Sequence, residues 1–116
     1  MYRTFVATGL ALFCLAVAAS AVGGKVGVVS RVGDTEMQLT LRDKKSEVIT
    51  IDDQTAYMTW VTHKPWQGGE AGRRALTVGR CVNVDLRSGD AAHIAKAVWI
   101  NTDTEGSVFD PCKGLR

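Results

Sequence analysis

Ten residues, Tyr57 to Trp66 (Tyr-Met-Thr-Trp-Val-Thr-His-Lys-Pro-Trp), hold most of the side chains in this chain that could do chemistry. Trp60 and Trp66 offer flat apolar faces, His63 an imidazole and Lys64 a cation. Gly68-Gly69 and the pair Arg73-Arg74 follow. Exposed aromatics bring no packing and risk aggregation, so Trp66 between Pro65 and a glycine pair is expected either to contact a partner or to fold back as a lid over an open barrel end. Aromatic and arginine side chains together are the composition of interface hot spots. Trp60, His63, Lys64, Trp66, Arg73 and Arg74 are therefore the candidate binding residues, on a flap spanning residues 60–74.

Catalysis finds no comparable set. His63 and His93 are the only imidazoles, and no serine or cysteine stands in a nucleophile turn. Asp52-Asp53 and Asp85 sit where aspartate caps bends or faces water. A zinc site needs three or four ligands, and no paired His or Cys spacing supplies them. No catalytic residue is assigned, and a non-enzyme is expected.

Two cysteines carry the remaining covalent chemistry. Met1 to Thr4 bears Arg3, Phe5 to Ala18 is an apolar run, and Ala19-Ser20-Ala21 is a small-residue cleavage site, so residues 1–21 read as a secretory signal peptide. The run is shorter than the ~20 residues of a spanning helix, and Phe13 before Cys14 is wrong for lipid attachment. Cleavage removes Cys14 and leaves Cys81 and Cys112 in an oxidising compartment, where an even pair is read as a disulfide. Residues 22–116 then form a single small domain whose C-terminal tail the disulfide anchors. Periplasmic or secreted localisation follows, with no transmembrane segment. The full chain has a formal net charge of +2, to which Arg3 contributes one unit. So balanced a chain has no strong field for nucleic acid, and an unknown envelope or extracellular partner of a monomeric module is expected.

The elements that must position these residues are strands. Lys25 to Val32, Met37 to Leu41 and Glu47 to Ile51 alternate apolar with polar side chains, and turn residues separate them. Tyr57 to Thr62 alternates Met58 and Trp60 against Tyr57 and Thr59, and the first pair is assigned to the core. Trp60 is thus expected to be more buried than Trp66. A loop to Arg74 comes next, then Cys81 to Leu86, a turn at Ser88-Gly89-Asp90, and a last strand from His93 to Ile100. That strand admits two registers, with either Ile94 and Val98 or Ala95, Ala97 and Trp99 inward. The pattern predicts an all-β fold, a small OB-like barrel of five to six strands.

The segments Val26-Gly-Val-Val29, Val48-Ile-Thr-Ile51, Thr55-Ala-Tyr57, Leu76-Thr-Val-Gly-Arg-Cys-Val-Asn-Val84 and Ala95-Lys-Ala-Val98 resemble a family of small bacterial envelope domains of unknown function. Similar barrels include the periplasmic copper and silver chaperones of cation-efflux systems. That resemblance implies an OB-like fold and, as an alternative function, a Cu(I) or Ag(I) site built from thioether, imidazole and a covering indole. Met58, His63 and Trp60 supply those residue types. The closely spaced second Met is missing, since Met37 lies on another strand. Without such a site no cofactor is expected.

Overall fold

The computed structural model describes residues 24–115, so the expected signal peptide lies outside the described residues. Seven strands follow in order: β1 Lys25–Val32, β2 Glu36–Leu41, β3 Ser46–Thr50, β4 Ala56–Trp60, β5 Gly68–Glu70, β6 Cys81–Leu86 and β7 Ala95–Asn101. Single 3-10 turns at Arg73–Ala75 and Gly89–Ala91 are the only helical elements among the described residues. The strands form one mixed sheet in the order β3-β2-β1-β6-β7-β4-β5. All pairs are antiparallel except β4 with β7.

This is an all-β chain, as the alternation predicts, but it has seven strands rather than five or six, and the barrel is not closed. Beyond the named strands, β3 reaches toward the start of β7 only at the parallel bridge Thr50↔Ile94, where the Thr50 N–H donates to the His93 carbonyl at 3.0 Å. The added strand, β5, comes from the expected loop. Gly68–Glu70 folds back on β4, with Trp60 opposite Gly68 and Met58 opposite Glu70. Residues 60–74 are therefore a hairpin arm and not an open flap.

One face of the sheet makes the core. Val29, Met37, Leu39, Ile49, Val82, Val84, Val98 and Ile100 gather there with Ile51, Leu76 and Ala95. Gly27 lets β1 lie close to β2, since a Cβ at this position would stand 2.6 Å from the Thr40 carbonyl oxygen. The register left open for the last strand resolves as a mixture. Ala95 is inward, yet so are Val98 and Ile100, because the β6–β7 pairing shifts between Asp85 and Leu86 and exchanges the faces partway along. Trp99 consequently points away from the core.

The opposite face is divided. Over β1 and β6 it is covered by the C-terminal tail, where Val28, Cys81 and Cys112 pack with Val26 and Leu115. The expected disulfide is present, with an S–S distance of 2.00 Å. Over β7, β4 and β5 the same face carries aromatic side chains.

Candidate functional site: an indole-lined pocket

The β4 register decides what stands on that face. Tyr57 pairs with Val98 and packs against the core, so Met58 and Trp60 point the other way. This corrects the assignment of Met58 and Trp60 to the core. Alternation gives two faces but not which one is buried, and the parallel pairing with β7 settles it. Met58 lies opposite Trp99, and Trp60 opposite Gly68, whose lack of a Cβ lets β5 lie close against the Thr59 carbonyl of β4.

The connection from β4 to β5 returns Trp66 over the same area. Its turns are held by the Lys64 N–H donating to the Val61 carbonyl at 3.1 Å and the Gln67 N–H donating to the Lys64 carbonyl at 2.8 Å. The result is a pocket of about 250 Å³ lined by Met58, Thr59, Trp60, Pro65, Trp66, Gln67, Gly68, Gly69 and Trp99. The chain has three tryptophans, and all three line this pocket. Trp60 and Trp99 are half-buried, whereas Trp66 is 76% exposed. Trp60 is thus more buried than Trp66, as expected, without belonging to the core.

Polar groups around the pocket are few and largely engaged. The Trp99 Nε1–H donates to Asp85 Oδ2 at 3.1 Å, which fixes that indole across the strand. The Thr59 hydroxyl donates to the Gly69 carbonyl at 3.3 Å. Gln67 is the other polar liner, and no Lys or Arg is among the lining residues.

His63 and Lys64 belong to a separate depression of about 430 Å³, together with Val61, Thr102, Asp103 and Phe109. The His63 ring stacks on Phe109 with centroids 4.1 Å apart, and Nδ1 lies 3.0 Å from Asp103 Oδ1. The Asp103 side chain is only 2% exposed. Burial raises its carboxyl pKa, but hydrogen bonds from the Thr62 N–H and the Asn101 amide, with His63 alongside, outweigh this and hold it below the usual carboxylate value. Among the described residues no serine, threonine or cysteine side chain bonds His63. Ser107, in the same depression, has its hydroxyl oxygen accepting the Phe109 N–H at 3.3 Å.

A third concavity, lined by Asp34, Thr35, Ile51, Asp52, Asp53, Thr55, Tyr57 and Arg73, opens beside the core. Asp52 forms a two-pronged pair with Arg87, at 2.6 and 2.8 Å, and that guanidinium lowers its pKa to about 2. Burial raises the Tyr57 hydroxyl pKa, against the opposing influence of Arg73. The Arg73 guanidinium donates to the Gly33 carbonyl, and Arg74 is exposed.

The structure therefore distributes the candidate binding residues. Trp60 and Trp66 line one pocket, His63 and Lys64 a neighbouring depression and Arg73 another, and Arg74 lines none of these. Of the soft-metal set, Met58 and Trp60 share a pocket that His63 does not line, and Met37 is fully buried in the core. Cys81, Asp110 and Cys112 are the one grouping of possible metal-ligand side chains among the described residues, and the two sulfurs there are bonded to each other. Trp99 and Asp103 are the residues that sequence reasoning did not assign to a site. No described helix is long and apolar enough to cross a membrane.

Comparison with known proteins yields no matching family model, no matching curated protein and no matching solved structure.

Proposed function

We propose that this chain is an exported, non-catalytic binding module of OB-like architecture that takes its ligand or partner in the indole-lined pocket. The convergence of all three tryptophans on one open pocket carries this reading, because exposed indoles are costly unless something covers them. Three features support the OB-like architecture: the β1-β2-β3 meander, the antiparallel β1-β6-β7 run, and the parallel approach of Thr50 to Ile94. The Cys81–Cys112 disulfide supports an oxidising compartment. The non-catalytic reading rests on His63, which lies stacked on Phe109 and paired with Asp103 without a bonded nucleophile. A soft-metal reading would have to run on Met58 and Trp60 without His63 or Met37.

The test compares parent and Trp66→Ala protein, each immobilised and exposed to envelope extract, with retained components identified by mass spectrometry, small molecules included. Trp66 is a surface residue, so its loss should leave stability within about 0.5 kcal/mol. A component held by the parent and released by the variant is expected. A variant that unfolds readily, or retains everything the parent does, refutes the reading.

A further inference from the structure

Resting on that reading, we infer that the pocket binds a quaternary ammonium group. Three indoles line it, an indole's negative quadrupole attracts a cation, and methylated ammonium is the cation best matched to an aromatic site because it keeps little hydration to lose. Trp60, Trp66 and Trp99 are those indoles, and Met58 adds a polarisable thioether.

The charges around the pocket have the matching sign. Neither Lys nor Arg lines it, and Lys64, the basic residue of the connecting segment, lines the adjacent depression instead. Glu70 is the direct cross-strand partner of Met58, which places its carboxylate on the pocket's face of the sheet. Asp85 adds a second carboxylate behind Trp99. An anionic ligand would find no Lys or Arg among the lining residues. At about 250 Å³ the pocket is also below the ~300–1,000 Å³ typical of drug-sized ligands, so it suits one head group.

The test follows the three indole N–H resonances by NMR during titration with choline, tetramethylammonium and 3,3-dimethylbutanol, the uncharged isostere of choline, at matched ionic strength. Choline and tetramethylammonium should shift all three resonances, and choline should bind about twofold to thirtyfold more tightly than the isostere, the range of a cation–π contribution. Glu70→Gln should weaken choline about threefold and leave the isostere unchanged. Trp60→Phe, which keeps an aromatic face, should retain measurable choline binding where Trp60→Ala loses it. Phosphatidylcholine vesicles separate the two sources of the group: co-sedimentation assigns a lipid head group, and its absence together with choline binding assigns a free solute. Equal affinity for choline and its isostere overturns the ammonium inference but leaves a binding pocket. A response to Ag(I) with none to choline overturns it in favour of a soft metal. Silence to every probe overturns it too, and the pocket reading falls as well only if Trp66→Ala also retains all that the parent retains.

Discussion

Replacing both Cys81 and Cys112 with alanine removes the one covalent tie between the C-terminal tail and the sheet. The two residues are 31 apart in sequence, and the chain-entropy model assigns closure of such a loop about 3.7 kcal/mol at 25 °C. The other ties are weaker. Arg42 donates to the Pro111 carbonyl at 2.8 Å and Lys44 to the Gly114 carbonyl at 3.0 Å, both at exposed positions. Bonds of this kind contribute about 0.5–1.5 kcal/mol each, comparable to the roughly 1–2 kcal/mol needed to order one backbone residue. Against a total of about 5–15 kcal/mol, the bridge is a quarter or more of the stability. The melting temperature should fall by about 15–30 °C, at about 4–8 °C per kcal/mol for a domain of this size. Circular dichroism measures the fall, and hydrogen exchange at the Gly106, Cys112 and Leu115 amides, now bonded within the tail, should show lost protection while β1 and β6 stay protected. A fall below about 5 °C with a protected tail would show that packing of Val28, Val26 and Leu115 holds the tail without the bridge.

Trp60→Ala should destabilise by about 2 kcal/mol in chemical denaturation, since a half-buried indole removes about 100 Å² from water; a loss of 4 or more would mean that Trp60 packs as a core residue. In Gly68→Ala the new Cβ would meet the Thr59 carbonyl oxygen at 2.5 Å, so β5 should detach from β4, seen as loss of the Met58–Glu70 cross-strand contacts by NMR with the core strands intact. Asp52, its pKa lowered from 3.8 to about 2 by Arg87, stabilises the fold fully above the unfolded value and loses that contribution as pH falls toward 2. Melting temperature followed from pH 5 to pH 2 should therefore drop less steeply in Asp52→Asn than in the parent, and parallel curves would refute the pairing.

The strands that alternate cleanly were legible because one face of each is committed to the core: Val29 in β1, Met37 and Leu39 in β2, and Val82 and Val84 in β6. β5 was not, because Gly68-Gly69-Glu70 has neither length nor alternation and becomes a strand only by pairing with β4. β4 showed its period but not its orientation, since Tyr57 and Trp60 are both large aromatics on opposite faces. The choice depends on β7 lying parallel beside it, a contact between distant segments. Trp99 was obscured for a related reason: the irregularity opposite Asp85 and Leu86 breaks the period of two, so neither simple register of the last strand is right throughout. His63 and Lys64 are near Trp66 in sequence, but they line the depression of Asp103 and Phe109, and His63 stacks on Phe109.

The tail gives the strongest argument that the exposed indoles are there for binding. It shields Val28 and the cystine on one half of the outer face, and Phe109 extends the same segment over the His63 ring. The chain thus has a covering device, and it runs close to the aromatic half without crossing it: among the described tail residues from Thr102 to Leu115, none lines the pocket of Trp60, Trp66 and Trp99. Protection from water is available to neighbouring apolar groups and withheld from Trp66. Trp66 at 76% exposure is not a residue waiting for the rest of its own fold, because β5 and the connecting turns already fix the backbone on both sides of it. Among the described residues nothing covers it, and in the proposed binding reading a ligand, a partner or a second copy does so. The separate head-group test and the Trp66→Ala comparison distinguish a small ligand from a protein surface, since a second copy or a partner would hold Trp66 without responding to choline.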